Sequence, residues 1–234
     1  MFPTVYQFNQ HCRDHWVARC AAQVPRGARV LDVGAGAAPY RSLFVHCEYK
    51  TQDFGQEPGT LGRYAPLDYE SDITAIPVPD ASFDVVLCTE VLEHVPRPIE
   101  AVAELARIVR PGGRLLLTAP LGSFLHQEPY HFYGGYTPWF YRRFLPEFHF
   151  EIETLERNQG FFSLFGQEAQ RFSSLIDPRR AHVGVLARAG LAVLWVATLP
   201  LLRVLIPPLC GVLDRLNLEQ QATIGYHVVA VKRC

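Results

Sequence analysis

Residues 30–40 read Val30-Leu31-Asp32-Val33-Gly34-Ala35-Gly36-Ala37-Ala38-Pro39-Tyr40, a Gly-x-Gly directly behind a short apolar run and ahead of an expected helix. Glycines there let the backbone turn tightly and approach a ligand with no Cβ in between. Asp53 stands just after the next candidate strand, where a carboxylate can accept hydrogen bonds from both hydroxyls of a ribose. This pattern implies an adenosine-containing cofactor; the competing reading is a plain strand-closing turn with Asp53 solvated. A dinucleotide is disfavoured, because the third glycine that brings helix and strand together over a pyrophosphate is replaced by Pro39. Proline suits a first helical turn but lacks that small contact surface.

Two further groups could do chemistry. The segment Phe124-Leu125-His126-Gln127-Glu128-Pro129-Tyr130-His131-Phe132-Tyr133 is dense in rings and ionisable groups. His126, Glu128 and His131 are its candidate bases, His131 first because two rings flank it, with a hydrogen-bonding structural role competing for each. Glu90, Glu93 and His94 have the i, i+3, i+4 spacing that would share one helix face and converge on a divalent cation. The favoured reading is that Glu93 and His94 brace their loop and that no metal is bound.

The elements that must hold these residues are short. Arg29–Val33, Phe83–Cys88 and Arg114–Ala119 are apolar runs bounded by Gly or Pro, as strands buried on both faces are. Between the last two, Ile99, Val102, Leu105, Ala106 and Val109 recur at helical spacing, predicting a crossover helix over Ile99–Arg110. Glu48–Gln52 and, more weakly, Tyr64–Leu67 add strands; Phe150–Glu156 alternates with period two, and Tyr226–Val231 forms a last strand. A doubly wound α/β sheet follows, preceded by an N-terminal helical segment over residues 1–27.

The 234 residues carry 22 basic and 23 acidic side chains, net −1, which argues against a nucleic-acid binder working through a positive field. Six cysteines without a C-x-x-C pair, and no basic-then-apolar N-terminus, predict a reduced, cytoplasmic protein. Cys88, ending an apolar run, reads as a small buried hydrophobe.

Val30–Gly36, Asp53, Asp72-Ile73-Thr74-Ala75-Ile76-Pro77, Ser82–Val86, Glu90–Val95 and Arg110-Pro111-Gly112-Gly113, in that order, resemble the class I S-adenosylmethionine-dependent methyltransferases, in particular the small-molecule and quinone group. The resemblance implies a seven-stranded Rossmann-like sheet whose antiparallel last strand lies beside the sixth, with a helical insertion between them. It implies that Asp32, Gly34 and Gly36 line the methionine end of S-adenosylmethionine, that Asp53 holds the ribose, that Asp72 and Ile73 flank the adenine, and that Thr89 faces the sulfonium. Some relatives with a pattern resembling Glu90, Glu93 and His94 use a divalent metal and many do not. No Asp/Asn-Pro-Pro-aromatic signature stands at Thr89–Leu92, which disfavours DNA or protein amides. The expected reaction is O-methylation of a small or lipid-linked acceptor, a glycan intermediate or quinone precursor. The alternatives are C-methylation of a quinone ring and a catalytically silent nucleoside-binding module.

The insertion, residues 160–222, is apolar and cationic. Phe165, Ala169, Phe172 and Ile176 fall on one helical face, and Ala189–Leu202 is an uncharged run shorter than a spanning helix, further broken by Pro200, Pro207 and Pro208. Arg179, Arg180, Arg188 and Arg203 lie in it with no acid between Asp177 and Asp214. Contact with an anionic membrane surface, on the inner face, and packing on the domain or on a second copy are both open.

Overall fold

The computed structural model describes residues 8–55, 65–216, 218 and 221–234. The chain divides into two compact units, one of residues 13–157 and 225–234, the other of residues 158–224 with the described residues 8–12. The second takes in residues 160–222 together with a few residues on either side and part of the N-terminal helix.

In the larger unit the strands β1 (Arg29–Val33), β2 (Glu48–Asp53), β3 (Tyr69–Glu70), β4 (Phe83–Thr89), β5 (Val109–Pro120), β6 (Phe150–Arg157) and β7 (Gly225–Lys232) form one sheet in the order β3-β2-β1-β4-β5-β7-β6. β7 runs antiparallel to both neighbours, so β6 is parallel to the first five strands. The order reverses beside β1, the switch point at which open α/β sheets bind ligands beyond their strand ends. Successive β1 residues Val30 and Leu31 are both buried but in different clusters, one on each sheet face, which is why the run shows no alternation. Helix α2 (Pro98–Ile108) covers one face with Ala101, Val102, Leu105 and Ile108. Trp16 and Val17 of α1 (Phe8–Ala21) pack in the cluster on the other. Helix α3 (Pro138–Glu147) buries Tyr141 and Leu145 in the first cluster.

Four local expectations are corrected. No strand occupies 65–67, and Tyr64 lies outside the described residues; β3 is instead a two-residue strand at Tyr69–Glu70, too short to carry a periodic signal. No α-helix follows Gly36, only a single 3-10 turn at Arg41–Phe44. Pro111-Gly112-Gly113 does not open β5: Val109 already pairs with Phe83, and the next register pair is Val85 with Arg114, so these residues form an irregularity inside the strand, with Gly112 at φ +74. Glu90, Glu93 and His94 do not share a helix, since only Leu92–His94 forms a 3-10 turn and Glu90 precedes it at φ +53.

In the smaller unit, α4 (Phe161–Leu175), α5 (Val185–Leu199) and α6 (Ile206–Asp214) follow one another, and α5 runs into α6 through a π-helical stretch at Pro200–Leu205. The prolines therefore do not break the apolar run. Proline lacks an N–H and crowds the preceding turn, and widening to i→i+5 bonding keeps the helix continuous. The result is one 30-residue helix, Val185–Asp214.

Candidate functional site

Beyond the strand ends of the larger unit lies a cavity of about 310 Å³. Gly34 and Gly36 follow β1 at φ +69 and +51, conformations that favour glycine. A Cβ on Gly34 would collide with the Val91 side chain, so this position also depends on having no side chain. Asp53, ending β2, accepts from the Gly36 N–H at 2.8 Å and from the Gly55 N–H at 3.2 Å, which draws the glycine turn and the β2 exit together. Asp72 accepts the Thr74 N–H (2.8 Å) and hydroxyl (2.7 Å), closing the turn that presents Ile73.

Of the seven residues expected at the cofactor, Gly34, Gly36, Asp53, Asp72 and Ile73 line this cavity, while Asp32 and Thr89 are not among its lining. Asp32 is buried in the sheet and accepts a hydrogen bond from the Tyr49 phenol. Burial pushes its carboxyl up to about 7, the Tyr49 bond pulling the other way. Thr89 ends β4, paired with Thr118 of β5. Lining residues that the sequence reading passed over include Gln52, Phe54, Val91, Tyr130 and Phe132. Phe54 directly follows Asp53, and Tyr130 and Phe132 belong to the ring-dense segment, so adjacency to recognised motifs was the available signal. Phe54 and Tyr130 meet edge to face at 5.6 Å.

The loop after β5 is clamped to the Leu92–His94 turn. The Phe132 and Tyr133 N–H groups donate to the Glu93 carbonyl (2.9 and 3.2 Å), His94 Nδ1–H donates to the Tyr130 carbonyl (2.6 Å), and the Tyr136 hydroxyl donates to the Leu92 carbonyl (2.6 Å). This brings together three imidazoles distant in sequence: ring centres of His126 lie 4.8 Å from His94 and 4.5 Å from His131, and His131 lies 5.8 Å from His94. His94 itself lines the cavity. His126 Nδ1–H donates to the Phe124 carbonyl at 2.8 Å, and His131 Nε2 lies 3.0 Å from the Ser123 hydroxyl. Desolvation, then the neighbouring His126, lowers the His131 pKa. Glu128 is exposed.

The carboxylates divide. Glu90 lines the cavity but is turned to the Thr118 hydroxyl (2.9 Å) and to Arg13 (3.5 Å). Glu93 is buried, and burial, then the Glu90 charge, holds its carboxyl well above the ordinary range. One donor atom each from Glu93, His94 and His126 lie within 4.8 Å of one another, so the set that converges has His126 in place of Glu90.

The sheet order 3-2-1-4-5-7-6 with a glycine-turn cavity beside β1 fits the fold that the resemblance to class I S-adenosylmethionine-dependent methyltransferases implies, and residues 31–117 match the family described as Methyltransferase domain (Methyltransf_11). Over those residues, somewhat more than a third of its length, the chain is similar to that family. It is 33% identical over 134 residues to an uncharacterized methyltransferase of Mycolicibacterium gilvum (53% of this chain, 52% of that protein). It is 31% identical over 102 residues to a ubiquinone biosynthesis O-methyltransferase of Vibrio cholerae (39% and 42%). The chain thus spans about half the length of these curated relatives. Among solved structures it shares its fold with Haemonchus contortus phosphoethanolamine N-methyltransferase 2 in complex with S-adenosyl-L-methionine (TM-score 0.53, 17% identity, 95% of this chain and 52% of that one).

Proposed function

We propose that the protein transfers the methyl group of S-adenosylmethionine to an oxygen of a small or lipid-linked acceptor, a glycan intermediate or quinone precursor, on the cytoplasmic face of a membrane. The observation that carries this reading is the imidazole cluster. Methyl transfer from a sulfonium is an in-line displacement in which the protein positions two reactants and removes a proton from a hydroxyl nucleophile. His94 borders the cavity, and His131, outside the lining but with its ring centre 5.8 Å from that of His94, has its pKa lowered by desolvation and by His126, which favours the neutral imidazole. In this reading Gly34, Gly36 and Asp53 hold the methionine and ribose, Asp72 and Ile73 flank the adenine, and His131 takes the acceptor proton, with Ser123 fixing its ring. Asp32 and Thr89, expected at the methionine end and the sulfonium, are not among the cavity's lining. His126 and Glu128 are the secondary bases. The Vibrio relative's name supports oxygen as the target atom.

Calorimetric titration with S-adenosylhomocysteine comes first, with NADH in parallel and with EDTA present or absent. Isotope-labelled S-adenosylmethionine is then offered with phenolic and polyprenyl-linked acceptors and the product analysed by mass spectrometry. Binding of the first nucleoside and a labelled O-methyl product are expected. A ring C-methyl product would move the reading to quinone carbon, and binding without turnover on any acceptor would favour the silent module. Loss of binding in EDTA would place a cation on Glu93, His94 and His126.

A further inference from the structure

The smaller unit buries the wrong residues for a helix pair in water. α4 turns Ser163, Gly166, Ala169 and Ser173 inward, and Ser163 and Ser173 have no exposed surface, while Phe161, Phe165, Phe172 and Leu175 face outward. The 30-residue helix beside it has a mean hydropathy of 2.1 over its most apolar window, whose residues are not buried, although Pro207 and Cys210 nearer its end are, and Leu186 and Val193 are 89% and 72% exposed. Helices that associate in water hide their large apolar side chains between them. In lipid that drive is absent, and association falls to small residues that let backbones close up and to polar groups bonded across the interface. Both signs are present. A Cβ on Gly166 would stand 3.1 Å from the Cys210 Cβ, so the two helices meet at van der Waals range there. The Arg203 guanidinium donates to the Ser173 and Ser174 hydroxyls (2.7 and 2.9 Å), and the Trp195 indole N–H donates to the Ser173 carbonyl (2.8 Å). The charge in the middle of the long helix is thereby turned toward α4.

The base of the pair is closed. The Asp214 carboxylate, at the end of the long helix, accepts from the Gly160, Phe162 and Ser163 N–H groups at the start of α4 (2.9, 3.2 and 3.2 Å). The chain therefore returns to the point from which it left. Of the other cations, Arg215 adjoins this base, Arg171 of α4 pairs with Glu168 at 3.4 Å, Arg179 is held by Asp177 and lies over the Trp195 ring, and Arg180 and Arg188 are exposed.

We propose that α4 and the Val185–Asp214 helix form a re-entrant hairpin embedded from one face in the hydrocarbon of an anionic bilayer. Thirty residues at the α-helical rise extend about 45 Å, longer than the roughly 30 Å hydrocarbon layer, and the pinned base fits a hairpin that enters and leaves on one side. Arg180 and Arg188, at the end away from the base, then reach headgroup phosphates of the opposite leaflet, which a helix longer than the hydrocarbon layer can bridge. A second copy of the chain is the weaker occupant, since it would present the same unpaired cations. The hairpin does not depend on which acceptor is methylated.

The test is flotation of the full-length protein with phosphatidylcholine vesicles, with and without phosphatidylglycerol, followed by washes in molar salt and in alkaline carbonate. Co-flotation with the anionic vesicles that survives both washes is expected. Release by salt would reduce the contact to surface electrostatics and overturn the proposal. Failure to float, with a dimer by light scattering, would overturn it in favour of a second copy. The triple variant Leu186→Asp/Val193→Asp/Val196→Asp should lose carbonate-resistant flotation and keep S-adenosylhomocysteine affinity. Undiminished flotation would overturn the proposal, and the wild-type washes decide it even if that variant misfolds.

Discussion

Replacing Asp53 separates two jobs that one carboxylate does in this cavity. Its oxygens already accept the Gly36 and Gly55 N–H groups at 2.8 and 3.2 Å, which hold the glycine turn against the end of β2. A ribose would add hydroxyl donors to the same anion. Hydrogen bonds to a charged acceptor contribute about 1.5–3 kcal/mol, so Asp53→Ala should weaken S-adenosylhomocysteine binding roughly 10- to 150-fold. Asp53→Asn keeps an oxygen for Gly36 but removes the charge, and its loss should fall between wild type and alanine. Calorimetry gives the dissociation constants, and thermal unfolding of the unliganded variants reports how much of the change belongs to the turn alone. Unchanged affinity in Asp53→Ala would refute the ribose assignment. An alanine that melts far below wild type, with Asp53→Asn binding normally, would leave the carboxylate only its turn-bracing role.

Gly34→Ala places a Cβ against Val91 at φ +69; strain of this kind costs about 1–3 kcal/mol, to be read as a lowered melting temperature together with lost nucleoside binding. His131→Ala should lower turnover while leaving S-adenosylhomocysteine affinity near wild type, and full activity would remove it as the base. His227 is buried against Trp16, its Nε2 meets no partner among the described residues, and burial, then Arg13 and Arg19, hold its pKa down to about 4. Its neutral form is the one that folds, so the stability it preserves is complete above the unfolded pKa near 6.5 and is lost as pH falls toward 4, about 3 kcal/mol in all. Chemical denaturation across that window should show wild type losing more stability than His227→Gln, and parallel curves would refute the assignment.

The parallel strands were legible because burial on both faces leaves uninterrupted apolar runs between Gly and Pro, and β1, β4 and α2 emerge within two residues of their expected limits. β3 was not, because two residues contain no period. The glycine turn and Asp53 were legible because each needs a particular residue type at a particular strand end. The imidazole cluster was legible only in part. His126 and His131 stood out by composition, but their approach to His94 depends on backbone bonds from Phe132 and Tyr133 to Glu93, which leave no side-chain pattern. For the same reason Glu90 seemed grouped with Glu93 and His94 by spacing alone, and the missing helix dissolved that group.

The insertion misled in a more instructive way. Helical periodicity says which residues share a face, and assigning that face to the interior assumes that the outside is water. Phe165, Ala169 and Phe172 do recur at helical spacing, yet only Ala169 of the three is buried. The buried positions are Ser163, Gly166, Ala169 and Ser173, small residues spaced three, three and four apart. That spacing was visible beside a 30-residue helix lacking any acid before Asp214. Small residues at helical intervals next to an acid-free apolar run mark the inner face when the surrounding solvent is lipid, because only close approach and hydrogen bonding then hold two helices together. The larger unit follows the opposite rule, with its large aliphatic side chains inside and, Asp32, Glu93 and Glu104 apart, its charges toward the surface, so the change of rule falls at the boundary between the two units.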